Sequence, residues 1–201
     1  MVVSLVADQT PVKDQGLRPT CLAMASTAGH EYLRQLELSV EHLWFNVGRR
    51  VGVMVAGAKF SDLALALSQD GQCSDAMWPY DPVIETPAPN PLPTPTYVAG
   101  NSRSQPAVLD EIRAELAARR PTVVGLRVND DFIAGLSPIN ASASDASDNG
   151  LHAVLAVGFD DGRAVITVRN TWGLGWADKG YADLTYEFIR RRSTRLLTVG
   201  L

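Results

Sequence analysis

The spacing of apolar residues changes midway along the chain, and this change constrains the fold more than any other feature. Residues 21–38 carry apolar side chains at steps of three and four, the period of a helix with one buried face. Residues 152–184 contain runs that alternate or are continuously apolar, which is typical of strands. Residues 82–106 lie between the two patterns and hold seven of the 12 prolines, which predicts an irregular connector. The sequence therefore predicts an α+β protein with a mainly helical half and an antiparallel sheet.

The predicted elements follow these patterns, and capping residues mark two of their starts. Thr20 and Ser39 are suited to cap the first two helices, because a hydroxyl oxygen can accept a backbone N–H of the first turn. Residues 140–150 are low in complexity and predict a mobile loop, and the arginine run 190–192 is expected on a solvated strand edge. The predicted helices are 21–38, 40–47, 61–68 and 107–119, and the predicted strands are 122–128, 152–159, 164–171 and 180–184.

Composition and length indicate one compact domain. With 46% hydrophobic and 20% charged residues, the chain can bury a sizeable core, so disordered and fibrous architectures are excluded. We expect a single domain over residues 1–201, with a helical lobe at about 11–100 and a β lobe at about 101–201. Residues 1–10 are expected to pack on the β lobe.

Charge and cysteine content limit the classes of binding partner and the cellular compartment that we expect. The formal charge of -4 offers no attraction to nucleic acid or anionic lipid, and the longest apolar stretches, such as residues 51–57, are too short to span a bilayer. The N-terminus lacks the basic and long apolar regions of a signal peptide. Two cysteines are too few for a disulfide framework and fit a reducing compartment. We therefore expect a cytoplasmic protein with no nucleic-acid or membrane partner.

Cys21 is the candidate nucleophile. It falls in the first turn of the first predicted helix, where unsatisfied backbone N–H groups and the helix dipole favour a thiolate. Thiol catalysis also needs an imidazole base and donors aimed at the developing oxyanion. Taken alone, a cysteine in an apolar stripe is equally a small core residue. Cys73 is expected to be such a packed residue, with a regulatory thiol as the alternative.

Three histidines can supply the base. His30 lies nine residues beyond Cys21 on the same helix, roughly 13 Å along its axis, and is expected to be partly exposed. His42 has no partner pattern and is expected at the surface or the core edge. His152 begins a strand of the second half. A pair formed by Cys21 and His152 would lie between the two halves, where clefts form.

Three motifs in order carry a resemblance to a known family. Residues 11–21 read Pro-Val-Lys-Asp-Gln-Gly, then four residues, then Cys. Residues 78–80 read Trp-Pro-Tyr, residues 152–159 begin His-Ala-Val, and residues 169–181 contain Asn-Thr-Trp-Gly. In their order and spacing these blocks resemble the papain-like cysteine proteases, and the resemblance covers nearly the whole chain.

The resemblance implies a fold and a set of catalytic roles. The fold would be papain-like and two-lobed, with a helical lobe packed on an antiparallel β-barrel-like lobe and an active-site cleft between them. Cys21 would be the nucleophile and His152 its base, with Asn170 orienting the imidazole and Trp172 shielding their hydrogen bond from water. Gln15 and the backbone N–H of Cys21 would form the oxyanion hole.

The chain also departs from the family pattern. The usual Cys-Gly-Ser-Cys-Trp is replaced by Arg-Pro-Thr-Cys-Leu at residues 18–22, so the upstream cysteine that commonly enters a disulfide is absent. This replacement fits an intracellular, bacterial-type branch. The substrate-binding edge matches loosely, and there we assign Gly57, Ala58 and Leu151; Leu151 stands where a polar residue is common.

The expected function is a cysteine endopeptidase that acts on a protein or peptide through a thioester acyl-enzyme, without a metal or organic cofactor. The same chemistry could serve a transpeptidase, a ligase or a side-chain amidase, and a catalytically idle peptide-binding module is the alternative of another class. Only 20 residues precede Cys21, too few for the inhibitory pro-segment of exported family members. We therefore expect an accessible cleft, restrained if at all by a separate domain, a partner protein or residues 140–150.

Overall fold

The computed structural model describes residues 1–52, 57–141 and 149–201, and shows helices packed against one antiparallel sheet. Residues 142–148 lie outside the described residues, and with them most of the segment for which a mobile loop is expected. Within the described residues the helices are α1 Cys21–Arg34, α2 Val40–Val51, α3 Phe60–Gln69, α4 Leu109–Ala117, α5 Asp130–Ile133 and α6 Tyr186–Arg192. The strands are β1 Val2–Ser4, β2 Arg103–Pro106, β3 Thr122–Arg127, β4 Leu151–Asp160, β5 Val165–Arg169, β6 Tyr181–Thr185 and β7 Ser193–Thr198.

Local chemistry accounts for the ends of α1 and α2. Helix α1 stops four residues earlier than predicted because Gln35 adopts a left-handed conformation, with φ 52°. Ser39 caps α2 as predicted, since its hydroxyl accepts the backbone N–H of His42 at 3.0 Å. Helix α2 runs past its predicted end at residue 47 and stops only at Gly52, whose φ of 79° suits a glycine.

Strand β4 is the centre of the sheet. The strand order is β2-β7-β3-β4-β5-β6, and β1 also pairs with β4, beyond the end of β3. All pairs are antiparallel. His152 is the second residue of β4, and Leu126 of β3 lies opposite it. Helix α1 packs across β4, and the backbone N–H of Ala153, near the start of β4, approaches Cys21 at the start of α1.

The C-terminal elements differ from the predictions. The arginine run 190–192 forms the last turn of α6, so its expected position on a strand edge is wrong. Cationic side chains are favourable there because they complement the carbonyl end of the helix dipole. The connector predicted over 82–106 ends earlier, because residues 103–106 form β2 on the edge of β7. Both β2 and β7 carry polar residues that mask a strand pattern.

The core fills the space between α1 and the sheet. Buried residues run continuously from Leu22 to Glu31, so α1 is enclosed on nearly every side. Gly29 allows this close approach, since a Cβ built there would meet side-chain atoms of Leu155 and Val199 at 3.3 Å. Among the described residues, no helix is long and apolar enough to cross a lipid bilayer.

Candidate active site

Cys21 opens helix α1 and is partly buried against the start of β4. Three backbone N–H groups approach its sulfur, those of Ala153, Leu22 and Cys21 itself, and they lower the pKa of the thiol. Burial raises the pKa more, so the net direction is upward. The sequence predicts a lowered pKa from the helix N-terminus alone. The opposite result arises because burial of the sulfur outweighs these N–H groups.

His152 and Asn170 form a short polar contact in the site. The imidazole Nε2 lies 2.6 Å from Oδ1 of Asn170, and the backbone N–H of Thr171 donates to the same oxygen at 2.8 Å. A backbone N–H is only a donor, so the atom that faces it must be the amide oxygen. Nε2 of His152 therefore carries the proton that it donates to Asn170. In the neutral ring this leaves Nδ1 unprotonated and able to accept a proton from the thiol.

Aromatic rings enclose the imidazole. The ring centroid of Trp172 lies 4.5 Å from that of His152, and Phe132 meets His152 edge-on at 5.7 Å. Trp176 packs behind them and donates its indole N–H to the carbonyl of Phe132 at 2.9 Å. Burial lowers the pKa of His152 to about 4, while its hydrogen bond to Asn170 acts in the opposite direction. The ring is therefore neutral at pH 7.

The two pKa directions indicate how the pair must ionise. Ionisation of the Cys21 thiol alone, or of the His152 imidazole alone, is disfavoured by burial. A proton transfer from sulfur to Nδ1 instead creates both charges together, and their attraction offsets part of the cost of burying them. Within the described residues no hydrogen bond joins the two side chains.

Gln15 is held next to the block that follows Asn170. Its backbone N–H donates to the carbonyl of Thr171 at 2.8 Å, and its side-chain oxygen accepts the Thr171 hydroxyl at 2.6 Å. Its side-chain nitrogen donates to the carbonyl of Arg18 at 2.9 Å. A primary amide has two N–H groups, so one donor of Gln15 remains for an oxyanion.

The assigned substrate-edge residues lie near the loop that precedes Cys21 and at the start of β4. Gly57 has a φ of 96°, and a Cβ built there would approach the carbonyl of Pro19 at 3.3 Å. The backbone at Gly57 therefore runs beside the loop that leads into Cys21. Ala58 follows it and is partly buried against the core. Leu151 is 71% exposed at the start of β4, directly before His152.

The other two histidines do not join the site. His30 is fully buried, so its expected partial exposure is wrong, and burial together with the Arg34 cation lowers its pKa to about 4. His42 is also buried, which excludes the surface but not the core edge, and its Nδ1 accepts the backbone N–H of Cys73 at 3.2 Å. The error at His30 arises because α1 is covered on more faces than its apolar stripe indicates.

Sequence reasoning missed three residues that shape the site. Phe132 follows the N-cap Asn129 in the short helix α5, where no periodic pattern marks it. Thr171 holds both Asn170 and Gln15, and its position directly after Asn170 was the available signal. Arg18 was noted only as the replacement of a cysteine, whereas its side chain is buried.

Comparisons with known proteins relate this chain to cysteine proteases. A family model described as papain family cysteine protease matches residues 60–192, about two thirds of the chain, including His152 and Asn170 but not Cys21. A cathepsin L-like proteinase of Fasciola hepatica is 28% identical over an alignment of 186 residues, which covers 86% of this chain and 55% of that protein. The chain thus spans about half the length of that relative. Stem bromelain of Ananas comosus is 25% identical over 177 residues, covering 86% of this chain and 81% of bromelain.

Solved structures show the same fold. Xylellain, a cysteine protease from Xylella fastidiosa, superposes with a TM-score of 0.79 at 24% identity, over 99% of this chain and 85% of that chain. The Carica candamarcensis cysteine protease CMS1MS2 in complex with E-64 gives a TM-score of 0.75 at 17% identity, over 99% of this chain and 98% of that chain. The predicted papain-like α+β fold is confirmed.

Proposed function

The chain belongs to the papain family of cysteine proteases, and on this premise we propose that it is an endopeptidase that hydrolyses peptide bonds through Cys21, His152 and Asn170. The observation that carries the proposal is the 2.6 Å contact between His152 Nε2 and Asn170 Oδ1. This contact fixes the tautomer in which Nδ1 of His152 is unprotonated. The next residue, Ala153, has the backbone N–H that approaches the Cys21 sulfur.

The proposed reaction begins with transfer of the thiol proton of Cys21 to Nδ1 of His152. The sulfur then attacks the scissile carbonyl carbon, a C–S bond forms, and the carbonyl π electrons move onto oxygen. The backbone N–H of Cys21 and the remaining N–H of Gln15 donate to this oxyanion. When the oxyanion collapses, the C–N bond breaks and His152 gives its proton to the leaving amine. A thioester to Cys21 remains.

Hydrolysis of the thioester repeats these roles with water as the nucleophile. His152 takes a proton from water, and the hydroxide oxygen bonds to the acyl carbon. The C–S bond then breaks to release a carboxylic acid, and His152 returns its proton to the Cys21 sulfur. Throughout, Asn170 keeps the imidazole in one orientation, and the rings of Trp172 and Phe132 keep water from their hydrogen bond.

Peptide cleavage tests the proposal. Reduced protein should cleave internal bonds of an unstructured protein substrate, and Cys21→Ala should not. Cys73→Ala is the matched control, because it removes the other free thiol, which is buried away from the site. An epoxysuccinyl inhibitor should add once, at Cys21, as shown by mass spectrometry of peptides. Cleavage that survives Cys21→Ala, or protein that neither cleaves nor is labelled, would contradict the endopeptidase assignment.

The products distinguish hydrolysis from the related transfer reactions. A hydrolase yields free carboxylate termini even with a millimolar amine present, whereas a transpeptidase or ligase yields amide products. A side-chain amidase leaves internal peptide bonds intact. Freshly purified protein should be labelled before any clipping of the chain, since we propose that the cleft of the isolated domain is open.

A further inference from the structure

Arg18 is a buried charge three residues before Cys21. Its side chain is 7% exposed, and its Nη1 donates to both carboxylate oxygens of Glu41, at 2.7 and 3.0 Å. Glu41 lies in the first turn of α2 and is 1% exposed. Burying two charges is costly unless their geometry is good and further hydrogen bonds satisfy them. The burial of this ion pair therefore suggests that it has a role beyond stability.

The ion pair fastens the connector to the helical half. The same Nη1 of Arg18 also lies within hydrogen-bond distance of the carbonyls of Asp81 and Ile84, at 2.9 and 3.1 Å, so its two hydrogens are shared among four oxygens. Glu41 in turn accepts the backbone N–H and the hydroxyl of Thr86, at 2.7 and 3.1 Å. The ion pair of Arg18 and Glu41 thus holds a segment, residues 81–86, that is far from both in sequence.

The backbone of Arg18 holds the proposed oxyanion donor. Its carbonyl accepts the side-chain N–H of Gln15 at 2.9 Å and the backbone N–H of Thr20 at 2.9 Å. The guanidinium lies over the ring of Tyr80, 4.6 Å from its centroid, and the Tyr80 hydroxyl donates to the carbonyl of Gln15 at 2.9 Å. The side chain of Arg18 is anchored by the buried Glu41, and the backbone carbonyl of Arg18 holds the Gln15 amide. Arg18 therefore connects the two.

We propose that Arg18 is a positioning residue for catalysis: its ion pair with Glu41 fixes the loop before Cys21, so that the Gln15 amide points at the oxyanion. The inference rests on the proposed function, because the oxyanion exists only if Cys21 attacks a carbonyl. Arg18 stands where the family resemblance places the upstream cysteine of a disulfide. In this chain an ion pair and a set of carbonyls hold that position.

Three substitutions separate charge from bulk. Arg18→Met keeps a long apolar side chain but removes the charge, and it should lower kcat at least about tenfold with little change in KM. The loss should not exceed the roughly 10²–10³-fold that removal of one oxyanion donor causes. Arg18→Lys should retain most of the activity, because Nη1 makes the hydrogen bonds of the side chain and Nη2 has no partner among the described residues. Glu41→Gln should lower kcat as Arg18→Met does.

The control is an ion pair of the same type on the surface. Arg50 pairs with Asp70 at the far end of α2, and Arg50→Met should leave kcat unchanged. If Arg18→Met and Arg18→Lys lower kcat equally, or if Arg18→Met leaves kcat unchanged, the proposed role of the charge is refuted.

Two further readouts separate positioning from general damage to the fold. Alkylation of Cys21 by iodoacetamide displaces iodide at a saturated carbon and forms no oxyanion. Cys21 of the Arg18→Met protein should therefore be alkylated at a rate within about twofold of that in the wild type. In a Gln15→Ala background, Arg18→Met should cost less than about twofold in kcat, because the donor it positions is already gone. Parallel losses of alkylation and turnover, or losses that multiply in the double variant, would show a structural role only.

A spectroscopic readout works without turnover. In ¹⁵N-labelled Cys21→Ala protein, the side-chain amide resonances of Gln15, assigned by their loss in Gln15→Ala, should move towards free-amide positions in Arg18→Met and stay in Arg18→Lys. Unchanged resonances in Arg18→Met would overturn the proposal. If wild-type protein cleaves no peptide, the proposed function fails, and with it the catalytic role of Arg18, while these resonances still show whether Arg18 holds the Gln15 amide in place. If the Arg18→Met protein does not fold, the comparison of Arg18→Lys with Glu41→Gln in the same assays decides the proposal. Arg18→Lys should retain most of the activity, and Glu41→Gln should lower kcat.

Discussion

Acidification should destabilise the protein through a buried histidine that takes no part in catalysis. His30 is fully buried in α1, and burial lowers its pKa to about 4. The Arg34 cation acts in the same direction, and the Gln72 side chain opposes both. In the unfolded chain the imidazole is solvated and returns to its ordinary pKa of 6.5.

The sign and size of the effect follow from these two pKa values. Because the folded pKa of His30 lies below the unfolded value, the unfolded chain binds more protons between pH 6.5 and about 4. The stabilisation by the neutral ring is complete above pH 6.5 and is lost as the pH falls through about 4. At 1.36 kcal/mol for each pKa unit, the loss is about 2 kcal/mol by pH 5 and about 3 kcal/mol in total.

The assay is urea unfolding at pH 7 and pH 5, with Cys21→Ala as the parent so that the protein cannot digest itself. Adding His30→Gln should make the fall in free energy of unfolding between the two pH values about 2 kcal/mol smaller than in the parent. His30→Asn should give the same difference, because only the loss of the imidazole matters. A difference within about 0.5 kcal/mol of zero, or one of opposite sign, would refute the reasoning.

The other predictions concern the catalytic residues. Cys21→Ala should abolish peptide cleavage while leaving the circular dichroism spectrum unchanged, since it removes the nucleophile and little volume; residual turnover would exclude Cys21 as the nucleophile. Gln15→Ala should lower kcat about 10²–10³-fold in steady-state assays, and an effect on KM alone would argue against an oxyanion donor. The acid limb of kcat/KM should lie near pH 4, because a protonated His152 cannot accept the thiol proton. Asn170→Ala should move that limb to lower pH, since the Asn170 hydrogen bond raises the pKa of His152; a limb near pH 6.5, or an upward shift, would contradict this.

The sequence by itself determined the division into a helical half and a sheet, and the order of the residues proposed to act. These features are local: the apolar period sets the element type, and the Ser39 cap marks where α2 begins. The spacing of the blocks around Cys21, His152 and Asn170 identified the family, which the comparisons confirm.

Only the tertiary structure decided how those residues are held. Sequence patterns report which face of an element is apolar, but not what covers its other faces, so the burial of His30 and the raised pKa of Cys21 were not predictable. The pairing of Arg18 with Glu41 joins residues 23 positions apart, and β7 enters the sheet between β2 and β3 although its own pattern is polar. Desolvation and pairing at these positions depend on segments that chain folding brings into contact, and no local pattern contains that information.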